Sequence, residues 1–288
     1  MNRLRASPTF TRTLIGALVV SISAGTALYF AKSQPPDIAG IVWQPDNNTV
    51  GITGDWHRLG AHELLVQWSA VDGQAFIPGS ELPSVPVLPD WVRIAKEPWA
   101  QDVILGLAGY FSENRSRDNV EQLAAVSERL AKLPTPLHVT GWYFPAEVDP
   151  SWSRAKELPA LLAKLPRPLW ISLYDGANIG PDATADWLKQ WLPNDVGVFF
   201  QDGVGVHARS APVAKTYADA LRERLGKDRV RIIVEAFRPQ PGGGFRSATA
   251  AELKPQLDAY DGYQLYLFDG PHYLTPTLIE QLSQEHSQ

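Results

Sequence analysis

The feature that most constrains the fold of this chain is the regular alternation, after Pro36, of short apolar runs with helix-like segments. Each of eight runs rich in β-branched and aromatic residues is paired with a segment of helical periodicity. The predicted strands are Gly40–Gln44, Glu63–Trp68, Asp102–Leu107, Leu137–Tyr143, Leu169–Tyr174, Val196–Gln201, Val230–Glu235 and Gly262–Phe268. Most runs are almost continuously apolar, which is typical of parallel strands buried on both faces and argues against a β-sandwich.

The helical segments carry ordinary start and stop signals. Asn119–Leu133 places an apolar stripe on one face and ends before Pro134. The segment Thr249–Glu252 has the pattern of a capping box, and Gly226 stands where a helix is expected to end. Eight such units in about 250 residues match the size of a (β/α)₈ TIM barrel. We therefore predict an α/β fold with a barrel domain over residues 36–288, and an open doubly wound sheet is the alternative.

The amino terminus is predicted to be an export segment. Three arginines in the first twelve residues precede an uncharged run from Thr13 to Phe30, whose 18 residues are the lower limit for spanning a bilayer. Residues 1–35 are therefore either a signal peptide, cleaved near Gly25–Ala27, or an uncleaved anchor helix in the inner membrane. In both cases the rest of the chain is expected outside the cytoplasm, either periplasmic and membrane-anchored or secreted.

The charge and the cysteine count exclude several classes of function. Setting aside the four basic residues among the first 36, the formal net charge of −5 becomes −9 for the rest of the chain. An acidic body of this kind lacks the basic surface that nucleic acids require, so no nucleic-acid partner is expected. The chain has no cysteine, which excludes disulfides, thiolate metal sites and a cysteine nucleophile.

Two glutamates are the candidate catalytic residues. In a TIM barrel the chemistry is located at the carboxyl ends of the strands, where Glu235 ends the seventh predicted strand and Glu147 follows the fourth. Strands four and seven face each other across the mouth, and glycoside hydrolysis needs two carboxyl groups flanking the scissile bond. The alternatives are that Glu235 pairs with Arg238 at the rim and that Glu147 is a solvated loop residue.

Further residues at the strand ends are candidates for binding sugar. Aromatic rings there can stack on sugar faces, although core packing accounts equally well for about half of them. The aromatic candidates are Trp43, Trp68, Trp142, Tyr143, Tyr174 and Tyr266. Gln67, Gln201 and Asp202 can supply polar contacts to hydroxyl groups. Asp202 can instead raise the pKa of a neighbouring glutamate by like-charge repulsion, or cap the Gly203–Gly205 turn.

No cofactor or metal is predicted. Gly203–Ala208 fits the G-x-G-x-x-A dinucleotide pattern, but it lies in the sixth unit and the next helix begins only near Ala211. The signatures G-x-S-x-G and G-x-x-x-x-G-K-[ST] do not occur in the sequence. Asp55 with His57 and His62 can in principle bind a metal, but a solvated surface is the simpler interpretation. Metal-dependent polysaccharide deacetylation therefore stays a minor alternative.

Two sequence strings resemble those of a known family. Trp142–Asp149, W-Y-F-P-A-E-V-D, and Phe200–Gly205, F-Q-D-G-V-G, are similar to an uncharacterised bacterial TIM-barrel family assigned to the glycosyl hydrolases, over most of residues 38–275. The resemblance implies a (β/α)₈ fold and a role in exopolysaccharide metabolism. In retaining barrel glycosidases the acid/base follows strand four and the nucleophile ends strand seven, which is similar to Glu147 and Glu235. Those enzymes carry Asn-Glu at the end of strand four, whereas Pro145 and Ala146 precede Glu147 here.

These observations predict an exported glycoside-hydrolase-like protein that acts on a polysaccharide. Glu235 is expected to be the nucleophile or base and Glu147 the general acid. The alternative from a different class is a noncatalytic protein that binds polysaccharide or assists its biosynthesis.

Overall fold

Eight parallel strands close into a barrel in a computed structural model that describes residues 37–285. The barrel strands are β1 Ile38–Trp43, β2 Glu63–Val66, β3 Asp102–Gly106, β4 Val139–Val148, β5 Leu169–Leu173, β6 Val196–Gln201, β7 Val230–Glu235 and β8 Leu265–Phe268. Strand β1 pairs with both β2 and β8, which closes the sheet. The predicted TIM barrel is therefore confirmed, and the open doubly wound sheet is wrong.

Helices pack around this barrel in the described part of the chain. The α-helices are α1 Trp91–Ile94, α2 Glu113–Asp118, α3 Val120–Leu130, α4 Leu158–Leu162, α5 Pro181–Lys189, α6 Ala211–Leu225, α7 Ala250–Ala259, α8 Gly270–Tyr273 and α9 Pro276–Glu285. Three 3₁₀ helices cover Trp56–Leu59, Ser153–Glu157 and Lys227–Arg229. The predicted capping box of α7 is present, with Thr249 and Glu252 bonded reciprocally, and Gly226 ends α6.

The barrel interior is filled by side chains, many of them aromatic. Its core residues are Ala39, Val42, Leu65, Ile104, Tyr143, Trp170, Phe199, Ile233 and Tyr266. The Phe199 ring lies 5.1 Å from the Trp170 ring and 4.9 Å from the Tyr266 ring, between centroids. A Cβ atom on Gly40 would lie 2.6 Å from the Tyr266 ring, so only glycine leaves room for that ring. Because the interior is packed in this way, the barrel is a solid core with its rim free for a site.

Strand β4 is longer than the sequence predicted. It continues beyond Tyr143 to Val148, although Pro145 cannot donate a ladder hydrogen bond. Phe144 is opposite Ile171 while Val148 is opposite Leu173, so two extra residues bulge out of β4 and accommodate the proline. Glu147 therefore belongs to the strand, and its interpretation as a solvated loop residue is wrong.

The long connections that follow β2 and β7 have local structure. The connection over residues 73–100 contains α1, whose cap Asp90 accepts a hydrogen bond from the backbone of Arg93. The other forms an antiparallel hairpin, with Phe237–Pro239 paired to Phe245–Ser247. A small sheet of Ala70–Val71, Gln74–Ala75 and Ala108–Gly109 completes the described strands. Since these pieces follow barrel strands, they build up the carboxyl-terminal face.

The predicted export segment, residues 1–35 with its apolar run Thr13–Phe30, lies outside the described residues. Within residues 37–285, no helix combines the length and the apolar character needed to cross a membrane.

Candidate active site

Glu235 ends β7 at the barrel mouth, and its side chain is only 6% exposed. One carboxylate oxygen, Oε2, accepts a hydrogen bond of 3.0 Å from the backbone N–H of Val206. The loop after β6 comes so close that a Cβ atom on Gly205 would lie 2.6 Å from the Glu235 Cβ atom. Glycine at position 205 is therefore required for the loop to pack against the carboxylate.

The surroundings of Glu235 disfavour its charged form. Burial raises the pKa of Glu235 to about 8, and the neighbouring Asp202 charge acts in the same direction. Backbone N–H groups of Val206 and Gly205, and the Arg209 guanidinium, oppose this rise in the pKa. Burial thus favours the protonated form of the carboxyl group, but donors that stabilise the anion are already in place.

Asp202 is fully buried and ties β6 to its neighbours. Its Oδ1 atom accepts from the backbone N–H groups of Val204 and Glu235, both at 3.2 Å. Its Oδ2 atom accepts from the Gln256 side chain at 2.5 Å and the Tyr260 hydroxyl at 2.9 Å. With four donors and no exposure, Asp202 does not reach a sugar, so that prediction is corrected. Its hydrogen bond from the Val204 N–H agrees with a cap of the Gly203–Gly205 turn. Its upward effect on the pKa of Glu235 agrees with the like-charge repulsion that was the remaining interpretation.

Glu147 lies on β4, and the Gln201 side chain from β6 donates a hydrogen bond to its carboxylate. Burial raises the pKa of Glu147 to about 8, with a further upward contribution from the Glu113 carboxylate. Gln201 and Arg117 pull the pKa of Glu147 in the opposite direction. Burial therefore also favours the protonated form of Glu147, which is the form that a general acid needs.

Helix α2 supplies two partners of Glu147 that the sequence analysis missed. Glu113 accepts a hydrogen bond from the backbone N–H of Glu147, and burial raises the pKa of Glu113. Arg117, four residues later, donates to the backbone carbonyl of Glu147 at 3.3 and 3.4 Å. The Oε2 atom of Glu113 is buried and has no hydrogen-bond partner among residues 37–285. In the sequence, the polar stretch Glu113–Asp118 looks like a solvated helix. Its contact with Glu147 depends on the bulge in β4, which the local sequence does not predict.

The pKa of Tyr174 depends on both candidate carboxylates. Burial raises the pKa of Tyr174, and both Glu235 and Glu147 add to this effect. The Arg209 guanidinium lies over the Tyr174 ring, 5.0 Å from its centroid. Arg209 is itself buried and donates to the Asp175 carbonyl at 2.6 Å. Each glutamate thus has a second carboxylate and a guanidinium nearby, and Tyr174 is within the field of both glutamates.

Four predicted sugar-binding aromatics lie in cores instead of lining the mouth. The Trp43 indole is fully buried and donates to Thr49 at 3.1 Å, while the Trp68 indole donates to the Pro45 carbonyl at 2.8 Å. Tyr143 and Tyr266 belong to the barrel interior. The predictions for these four residues are therefore corrected, since near-complete burial leaves no ring face for a ligand.

The Tyr266 side chain points away from the mouth, although its position near the end of β8 predicted the opposite. Its hydroxyl donates to Glu63 and accepts from Arg231, and both of these residues lie at the amino-terminal part of their strands. The phenol is thus directed to the end of the barrel opposite the mouth, which explains why Tyr266 takes no part in the candidate site.

The remaining predicted residues are half-buried. Trp142 packs against the main core, and the Gln67 Oε1 atom is buried with no hydrogen-bond partner in the described part of the chain. The structure joins Glu147 to Gln201 by a hydrogen bond, and the charges of both glutamates raise the pKa of Tyr174. Within residues 37–285, no three histidine or acidic side chains converge as metal ligands.

The fold and the mouth define a structural class: a (β/α)₈ barrel with glutamates on β4 and β7. No protein-family model matches the chain. The uncharacterized protein YbcH of Escherichia coli K12 is 26% identical over 212 residues, which are 63% of this chain and 70% of YbcH.

Two solved structures share the fold. A putative alpha-L-fucosidase from Bacteroides thetaiotaomicron VPI-5482 aligns with a TM-score of 0.59 at 15% identity, covering 90% of this chain and 97% of that one. The PgaB (BpsB) glycoside hydrolase domain from Bordetella bronchiseptica aligns with a TM-score of 0.52 at 13% identity, covering 85% and 98%. At the level of the fold, these neighbours confirm the resemblance to a TIM-barrel family of glycosyl hydrolases.

Proposed function

We propose that this protein is a glycoside hydrolase that cleaves a polysaccharide outside the cytoplasm. The observation that carries the proposal is the pair Glu147 and Glu235, which are held on β4 and β7 with the pKa of each raised to about 8. Carboxyl groups with raised pKa values in a barrel mouth are poised for proton transfer. The glycoside hydrolase domains among the solved structures of the same fold support a carbohydrate substrate.

In this reaction Glu147 donates its proton to the oxygen of the glycosidic bond as that bond breaks. Glu235, as the anion, either attacks the anomeric carbon or takes a proton from the water that attacks it. The role of base falls to Glu235 because Val206 and Gly205 direct two backbone N–H groups at its carboxylate. Gln201 holds the carboxyl group of Glu147, and we propose that Tyr174, whose pKa both glutamates raise, contacts the sugar.

The proposed location and substrate class rest on the sequence. The apolar run Thr13–Phe30 after three arginines supports export, with the segment either cleaved or retained as an inner-membrane anchor. The family resemblance supports an exopolysaccharide substrate. Fusions to alkaline phosphatase after residues 35 and 288 test the export, because that enzyme is active only outside the cytoplasm.

Release of reducing ends from a panel of bacterial exopolysaccharides tests the hydrolase. The wild-type protein is compared with Glu235→Gln and Glu147→Gln, each expected to lower the release of reducing ends by at least 100-fold. Glu223→Gln is the matched control, since Glu223 is exposed on α6 and pairs only with Arg224 in the described chain. Unchanged release in both glutamine variants would remove Glu147 and Glu235 from the mechanism.

One observation favours the second candidate function, a noncatalytic polysaccharide-binding protein. Burial raises the pKa of both glutamates, which disfavours the ionised base that hydrolysis needs. A binding protein does not need an ionised base. It would retain a shift in tryptophan fluorescence on adding polysaccharide, in the wild type and both glutamine variants, without release of reducing ends.

A further inference from the structure

Four aromatic side chains beside Glu235 form a cluster that we call the aromatic platform: Phe237, Phe245, Phe268 and Tyr273. Phe237 is its centre, with ring centroids 4.6 Å from Phe245, 5.0 Å from Tyr273 and 6.2 Å from Phe268. Phe237 is buried and Phe268 and Tyr273 are half-buried, whereas Phe245 is 42% exposed. The central ring of the platform, Phe237, is therefore buried, and the ring of Phe245 is exposed to solvent.

The platform is continuous with the candidate site. A Cβ atom on Gly205 would lie 2.6 Å from the Glu235 Cβ atom and 2.9 Å from the Phe237 ring, so all three residues meet at one point. Phe268 is the β8 residue opposite Glu235 in the strand register. A sugar placed at Glu235 therefore has the platform as its next surface toward β8.

The hairpin that carries Phe245 is fixed at its base to helix α7. The buried Arg238 guanidinium donates to the Gln256 side chain at 2.7 Å and to the Glu252 carbonyl at 3.0 Å. The Arg246 guanidinium pairs with the Glu252 carboxylate at 2.7 Å. An exposed phenyl ring on an anchored hairpin loses little side-chain entropy when a ligand stacks on it.

The cations near the platform are already paired. Arg238 and Arg246 are held by α7, and His272, next to Tyr273, lies between Asp269 at 2.8 Å and Asp46 at 3.2 Å. The Tyr273 hydroxyl, in contrast, has no hydrogen-bond partner among residues 37–285. A ligand at the platform thus meets ring faces and one free hydroxyl, and no uncompensated positive charge that would favour an anion.

We infer that the aromatic platform is a subsite for a neutral sugar ring of the polysaccharide, adjoining the ring that is processed at Glu235. This inference rests on the proposed carbohydrate function and adds a substrate class to it. The C–H face of the sugar stacks on Phe245, and the Tyr273 hydroxyl bonds one of the sugar hydroxyls. A uronic acid is disfavoured there, because its carboxylate would be desolvated without a cation.

Affinity electrophoresis of the full chain tests the subsite, in native gels containing dextran, galactomannan or alginate. The first two polymers are neutral and the third is a uronate polymer. Phe245→Ala is expected to weaken binding to a neutral polymer by about three- to tenfold, the range of one aromatic contact. Phe245→Tyr keeps the ring and should bind within about twofold of the wild type. Phe111→Ala is the control, because Phe111 is also an exposed mouth phenylalanine, 69% exposed, but packs on Trp68.

The outcomes separate this inference from the proposed function. If Phe245→Ala binds like the wild type while Glu235→Gln abolishes release of reducing ends, the subsite is wrong and the hydrolase stands. Equal losses in Phe245→Ala and Phe111→Ala, or binding to alginate alone, also overturn the neutral subsite. If no gel retards the wild type and no polymer is cleaved, the carbohydrate function fails and the subsite fails with it.

Discussion

Asp202 accepts a hydrogen bond of 3.2 Å from the backbone N–H of Glu235, which ties the end of β6 to the end of β7. Burial is the main cause of the raised pKa of Glu235, and like-charge repulsion from the same carboxylate raises this pKa further. One buried residue therefore fixes the backbone position of the candidate nucleophile and adds to its proton affinity.

Asp202→Asn is expected to lower the pKa of Glu235, because it removes the negative charge. If Glu235 acts as the anion, the acidic limb of the pH–rate profile moves to lower pH. The asparagine amide faces the donors Gln256 and Tyr260, so we also expect a loss of about 1–3 kcal/mol in the free energy of unfolding. Asp258→Asn on the exposed side of α7 is the control and should change neither quantity. A pH–rate profile that does not move would contradict this role.

Substitutions of Glu113 and Arg117 on α2 should shift the pKa of Glu147 in opposite directions. Glu113→Gln removes a negative charge and lowers that pKa, whereas Arg117→Gln removes a positive charge and raises it. Because the general acid must be protonated, the alkaline limb moves to lower pH in the first variant and to higher pH in the second. Glu121→Gln, exposed on α3, serves as the control. Shifts of the same sign in both variants would rule out this electrostatic account.

The wild-type pH–rate profile should be a narrow bell with its maximum near pH 8. The reaction needs Glu235 ionised and Glu147 protonated, and the pKa of each is about 8. Initial rates between pH 5 and pH 10 measure the profile. A maximum at pH 5 would show that substrate binding changes these pKa values or that other groups carry the proton transfer.

Glu235→Gln should stabilise the protein at alkaline pH. The pKa of this carboxyl group rises on folding from its ordinary value of 4.5 to about 8. Such a group contributes stability at low pH, and this stability is lost as the pH rises through that window. Glutamine avoids the cost of a buried charge, so we expect a gain of about 1–4 kcal/mol at pH 9 and little change at pH 4. Thermal melts at both pH values, beside Glu223→Gln, measure the difference. Equal effects at pH 4 and pH 9 would mean that Glu235 ionises freely in the folded protein.

Tyr266→Phe is expected to weaken folding and to leave catalysis intact. Its hydroxyl bridges Arg231 and Glu63 at the end of the barrel away from the mouth. Loss of these bonds should lower the free energy of unfolding by about 1–3 kcal/mol in urea titrations. Unchanged release of reducing ends is the expected companion result, and a selective loss of activity would restore Tyr266 to the site.

Much of the fold was predictable from local patterns. Each of the eight apolar runs forms a barrel strand, because short, nearly continuous apolar runs favour strands buried on both faces. The end of β7 was also predictable, since Glu235 interrupts an apolar run at its last residue. The extension of β4 was not, because Pro145 indicates the end of a strand unless the neighbouring strand tolerates a bulge.

The barrel and the placement of Glu147 and Glu235 near the carboxyl ends of opposite strands follow from the sequence, because hydrophobic periodicity is a local property and eight successive units close in chain order. The neighbours of the two glutamates depend on the folded structure. Trp43 and Tyr266 lie in hydrophobic cores, while Glu113 and Arg117 on α2 reach Glu147 from a distant segment. Side-chain direction and burial depend on packing between elements, and packing also sets the pKa of each glutamate.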